Sequence, residues 1–149
     1  KGNEGVANYV TRIKGAIGYV EYAYAKQNKI AHTQMQNAAG SFVNPDDSTF
    51  KAAAANADWA KAPGFYLILT NQPGKDTWPL SGATFILMHK KQDKPAQGLE
   101  ALKFFDWAYT NGDAVASQLD YVPMPANVKT TIRNSWKQIT DAAGAPAWK

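Results

Sequence analysis

The stretch Gly15-Ala-Ile-Gly-Tyr-Val-Glu-Tyr22 decides how the rest of the chain is read. Ala16, Ile17, Tyr19 and Val20 make a short apolar, β-prone run punctuated by Gly15 and Gly18. Such a run suits a buried strand whose neighbours pass close to its backbone. Just before it, Val6, Tyr9, Val10 and Ile13 recur at helical spacing, with Asn3 placed as N-cap and Lys14-Gly15 as a stop. A helix over 3–13 feeding a buried strand is half of an α/β layer, and the remainder must pack on it.

Working outward, 22–27 reads as a short helix and 30–36 alternates like an edge strand, with His32 on it. Asn37-Ala-Ala-Gly40 is a turn, and Ser41-Phe-Val43 a short extended piece halted by Asn44-Pro45. Asp46-Asp47-Ser48 ahead of Phe50 and the alanines at 52–55 is a helix start. Phe65-Tyr-Leu-Ile-Leu69 and Thr84-Phe-Ile-Leu-Met88 are continuous apolar runs of strand length, the second expected to be buried. The polar loop 70–77 between them is the candidate crossover between lobes. Pro95 suits the first position of a helix. Leu99, Leu102, Phe105 and Tyr109 mark one face of it, and Phe104 with Trp107 flank that face, so burial between partners is expected. A short helix over 113–119, an extended connector at 121–125 and a last helix over 125–140 follow, and the tail from 141 onward is expected to be loose.

Composition narrows the function classes. At 149 residues, with 45% hydrophobic and 19% charged, the chain has the make-up of one globular domain with a real core. No apolar run approaches the roughly 20 residues that span a bilayer. Cysteine is absent, which removes disulfides and thiolate chemistry and fits an exported bacterial protein. The net charge of +4 is spread over fourteen scattered lysines and two arginines, so a solvated basic surface is expected and no nucleic-acid partner. Two histidines, His32 and His89, are too few for a multi-histidine zinc site. No Gly-x-Ser-x-Gly and no phosphate-cradling Gly-x-x-x-x-Gly-Lys-Ser/Thr occurs. Glu21, just past the organising run, is the acid best placed for function, because strand ends carry the functional groups of α/β proteins, yet a structural role is the favoured reading of it. His89 ends the second buried run. The Gly-rich start of the first helix has free N–H groups of the kind that bind anions, but an ordinary capped helix is the better reading of it. Asp46-Asp47 is better explained as a helix start than as a catalytic pair, and the aromatics Tyr19, Tyr22, Tyr24, Phe104, Phe105 and Trp107 as core.

Several phrases, taken together, resemble one family. They are Gly2-Asn-Glu-Gly5, Gly15-Ala-Ile-Gly-Tyr-Val-Glu-Tyr-Ala-Tyr-Ala-Lys26, Trp78-Pro79, Thr84-Phe-Ile-Leu, Leu102-Lys-Phe-Phe-Asp-Trp-Ala-Tyr109 and Leu119-Asp-Tyr-Val-Pro-Met-Pro125. Their order is similar to that in the C-terminal half of the periplasmic phosphate-binding proteins that feed bacterial high-affinity phosphate ABC transporters. The resemblance implies an α/β, two-lobed, type II periplasmic-binding-protein fold whose N-terminal half is absent here. Residues 1–77 would be the C-terminal part of the second lobe, and 78–149 would return to complete the first. It implies a non-enzymatic, periplasmic protein without cofactor or metal that captures inorganic phosphate by lobe closure and hands it to a permease.

The resemblance also implies that the phosphate ligands, among them an arginine followed shortly by Ser-Gly-Thr at a helix start, lie upstream of the segment matching Lys1. Arg12 and Arg133 lack that motif and read as surface residues, so no catalytic or substrate-binding residue is assigned. The chain begins with Lys1, which points to processing or to a piece of a longer polypeptide. Without a front half, the runs at 17–20 and 85–88 would lack partners, so association with the missing half, oligomerisation or domain swapping is expected. Weak phosphate binding, or none, is expected of these residues alone. The alternative from the residues themselves is a small α/β hydrolase or transferase using Glu21 or His89.

Overall fold

The computed structural model of the chain describes residues 1–148. Its scaffold is helical: α1 (Gly2–Arg12), α2 (Tyr22–Gln27), α3 (Asp47–Asn56), α4 (Pro95–Asn111), α5 (Asp113–Gln118) and α6 (Ala126–Ser135). One antiparallel ladder of two short strands, β1 (Met35–Gln36) and β2 (Phe42–Val43), pairs Met35 with Val43 and Gln36 with Phe42.

The helices form for local reasons. Asp46 caps α3, its carboxylate accepting from the Thr49 backbone at 2.9 Å, and the Thr49 hydroxyl reciprocates on the Asp46 N–H. Pro95 opens α4, where its missing N–H costs nothing, and Gly112 closes it. Asn3 is not the cap of α1: the helix starts one residue earlier, with Lys1 before it and no side-chain cap. The final helix is shorter than its periodicity suggests. It tightens into a 3₁₀ turn over Trp136–Gln138.

Two apolar clusters hold the scaffold. Ala57, Trp59 and Leu69 meet Val128 in one, with Met124 and Ile132 against them. Leu102, Trp136 and Ile139 form the other, joined by Phe105, Tyr109 and Trp148. Trp136 stacks on Tyr109 at 6.1 Å and meets Trp148 edge-on at 5.1 Å. The described part of the tail is therefore held, not loose. Asp141 accepts from Ala143 and Ala145, and the Ala147 N–H bonds to Ile139.

The strand runs depart most from expectation. Residues 16–20, 65–69 and 84–88 are not strands here, and only 35–36 of the run 30–36 is in a ladder. Ile17 is 97% exposed, Tyr19 89% and Leu87 93%. The reason is physical: a strand has no internal hydrogen bonds, so an apolar run becomes one only beside another strand. The run at 16–20 still has one face seated. A Cβ on Gly18 would stand 2.7 Å from Val6 Cγ1, so the segment lies flat on α1 and turns Ile17 and Tyr19 outward. Residues 65–69 are instead diverted by 3₁₀ turns at Trp59–Lys61 and Pro63–Phe65, leaving only Leu69 buried. Phe104 and Trp107, expected in the core, are about 60% exposed.

Candidate functional site

Two adjoining clefts lie along α4 and α6. The larger, about 670 Å³, is lined by Trp59, Phe65, Ile86, Phe105, Tyr109 and Trp136 among others. The smaller, about 380 Å³, runs from Phe85 and Val122 to Met124 and Val128. Their walls are chiefly apolar and aromatic. The charges on the smaller one are already matched: Lys129 donates to both Asp113 oxygens at 2.6 and 2.7 Å and to the Tyr109 carbonyl at 2.9 Å. A dehydrated oxyanion needs several convergent donors and a charge partner. The polar lining of the larger cleft is Lys90, Thr131, Asn134, Ser135 and Gln138, and the Thr131 and Ser135 hydroxyls already donate to the carbonyls of Asn127 and Ile132.

The residues singled out from sequence do not converge. Glu21 is exposed and precedes α2 without capping it. His89 is exposed, and its carbonyl is taken by the Gln92 side chain. His32 sits edge-on to Tyr22 at 5.7 Å, outside any ladder. Arg12 is exposed, as expected. Arg133 is half-buried and engaged at the surface: its Nε donates to Asp106 at 2.6 Å, one Nη donates to Thr110 at 2.9 Å, and the guanidinium lies 5.8 Å from the centre of the Tyr109 ring. Burial pushes the Tyr109 hydroxyl's pKa up, with Arg133 opposing. The start of α1 carries no side-chain cap and has Glu4 in its first turn. Among the described residues no group of three or more His, Asp or Glu is placed to hold a metal, and no helix is long and apolar enough to cross a membrane.

Three polar features escaped the sequence reading. Lys129 sits beside the apolar stripe of α6 and is 7% exposed. Lys26 and Gln27 at the end of α2 both reach Asp120, at 2.5 and 3.3 Å. That contact raises the Lys26 pKa and lowers that of Asp120. Asn37, read only as a turn residue, is buried and makes five side-chain hydrogen bonds. Its position at the head of a turn was the one available signal, since Asn favours turns by bonding nearby backbone.

No family model matches the chain. Among curated proteins, the phosphate-binding protein PstS of Haemophilus influenzae is 52% identical over 137 residues, covering 92% of this chain and 41% of that protein. PstS of Pasteurella multocida is 50% identical over 150 residues, covering 100% of this chain and 44% of its own length. PstS of Xylella fastidiosa is 51% identical, covering 91% of this chain and 37% of the relative. The chain thus spans about two-fifths of the length of the curated relatives it matches. Half-identity sustained across nine-tenths or more of the sequence makes this chain a homologue of the bacterial phosphate-binding proteins named PstS.

Proposed function

We propose that this chain supplies the C-terminal part of an inorganic-phosphate receptor, the solute-binding component of an ABC importer, acting outside the inner membrane and delivering to a permease. The carrying observation is the half-identity to phosphate-binding proteins along nearly the whole chain. On this reading the complete protein has the two-lobed type II architecture. Residues 1–77 belong to the second lobe, and 78–149 return to the first. The exposed runs at 16–20 and 84–88 are strands awaiting neighbours from the rest of the polypeptide, and their exposure supports that reading. Self-association through these runs is the alternative fate when the rest is missing. The half-identical relatives carry binding names and not catalytic ones, and Glu21 and His89 are exposed with no activating partner beside them, so the hydrolase reading is not favoured.

The phosphate grip is assigned to residues outside these 149, because the resemblance places the ligand motif ahead of Lys1, and here the Lys129 charge and the Thr131 and Ser135 hydroxyls at the clefts are already engaged. Calorimetry with inorganic phosphate tests this on two polypeptides: this chain, and the chain extended to the length of its relatives. The extended protein should bind tightly and this chain at least a hundredfold more weakly. Tight binding by this chain alone would overturn the assignment, and no binding by the extended protein would overturn the phosphate reading itself.

A further inference from the structure

The loop 70–77, expected to be the crossover between lobes, is heavily cross-linked to its surroundings. Asn37 Nδ2 donates to the carbonyls of Gly74, Lys75 and Thr77 at 3.3, 2.8 and 3.2 Å. The same side chain's Oδ1 accepts from the Ala39 and Ser41 N–H groups, each at 3.1 Å. One buried amide thereby joins the β1–β2 turn to the loop. Helix α3 holds the loop's other flank: Asn56 Nδ2 donates to Pro73 at 2.9 Å, and the Trp78 N–H donates to the Thr49 carbonyl at 3.1 Å. Thr77, fully buried, donates its hydroxyl to Gln72 and Gly74. Gly74, at φ +120°, allows the closeness: a Cβ there would stand 2.5 Å from Asn56 Nδ2. The knot closes with the Asn71 N–H on Pro79 and the Ser81 hydroxyl on Trp78.

Beyond Ser81 the bonding stops. Among the described residues, 82–88 make no backbone hydrogen bond to another element, and the ladder-like bonding resumes at Lys90 with Thr140. Residues 84–88 are the strand-like run, which leaves Gly82 and Ala83 as the link between it and the knot that makes no backbone hydrogen bond, with the Ala83 side chain resting on the Trp59–Val128 cluster. Gly82 has open space where a Cβ would sit. We infer that Asn37 is the positioning residue that fixes the chain's exit from the 1–77 stretch, so that 78–81 move with that stretch and the hinge is Gly82–Ala83. This rests on the two-lobed reading and sharpens it, moving the flexible point out of the Pro73-Gly74 loop. Contacts that bridge the boundary include Lys26 and Gln27 on Asp120, α3 on α6 and the Trp59–Val128 cluster, and those are the ones a lobe motion would alter. The knot would not change.

Hydrogen exchange resolved by residue tests this. In the 149-residue chain the amides of Asn71, Trp78, Ala39 and Ser41 should exchange at least tenfold more slowly than those of 82–84. Asn37→Asp keeps the acceptor and loses the donor. It should speed exchange at 77 and 78 at least tenfold while sparing 39 and 41. Equal protection of 71–78 and 82–84 in the unsubstituted chain would overturn the inference, as would an Asn37→Asp variant that folds without any effect at 77 and 78. In the extended polypeptide, inorganic phosphate should slow exchange at 82–84 and leave 71–78 unmoved. Phosphate-dependent change confined to 71–78 would place the hinge in the loop and defeat the inference. Failure to bind phosphate at all would count against the proposed function, and the exchange pattern of the shorter chain would still decide whether the knot is real.

Discussion

Residues 70–81 and residues 82–88 are consecutive, yet the first segment is bonded at almost every turn and the second at none. In 70–81 the partners are close in sequence or lie on α3 and the β1–β2 turn, all inside this chain. In 82–88 the side chains are those of a sheet interior, and Leu87 is 93% exposed. Structure that closes over short distances, such as caps, turns and helix faces, completes itself in these 149 residues. Structure that needs a remote strand does not. The 16–20 run repeats the second case, with one face on α1 and the other bare.

The sharpest way to break this contrast is to attack the self-sufficient side. Leu102 is fully buried between Trp136 and Ile139. Leu102→Ala should cost about 2–5 kcal/mol in this chain, from lost transfer energy and the cavity left behind. Urea unfolding followed by Trp fluorescence measures it. A loss under about 1 kcal/mol would mean that α4 and α6 are no better packed than the exposed runs.

A smaller effect probes the local chemistry that made α3 legible. Hydrogen bonds from the Ser48 hydroxyl, with the Thr49 backbone behind them, hold the Asp46 carboxyl below its ordinary pKa. A group depressed in the folded state contributes stability that is fully present above its unfolded pKa and fades as pH falls through its folded one. Asp46→Ala should therefore cost about 1 kcal/mol near neutral pH. The gap between the two proteins should narrow as pH drops below about 4. A gap that is constant down to acid would show that the carboxylate's charge is not what caps the helix.

What the sequence disclosed follows the same line. The α3 start, the Pro95 start of α4 and the Leu102 position were all readable, because each depends on neighbours within a few residues. The strands at 16–20, 65–69 and 84–88 were inferred from side chains alone, which report what a segment would do beside a partner and not whether the partner is there. Asn37, Lys129 and the Lys26–Asp120 pair were invisible for the converse reason. The partners of the Asn37 amide N–H groups lie 37 or more residues away, Asp113 lies 16 from Lys129, and Asp120 lies 94 from Lys26; only the Asn37 carbonyl, which bonds Ala39 and Ser41 in its own turn, left a local trace.

The smallest effect tests the bare side of the contrast. Ile17 has almost its whole side chain in water, so Ile17→Thr in this chain should change stability by no more than about 0.5 kcal/mol. It should also lower any self-association seen by light scattering, because it removes apolar surface from an unpaired run. In the chain extended to its relatives' length the same substitution should cost about 1–3 kcal/mol, the magnitude expected when an apolar side chain that had been buried is lost. Only a side chain that passes from solvent into a sheet interior gives both results. Equal, negligible costs in the two polypeptides would mean that Ile17 stays in water even in the complete protein, and that 16–20 is a surface loop and not an unpaired strand.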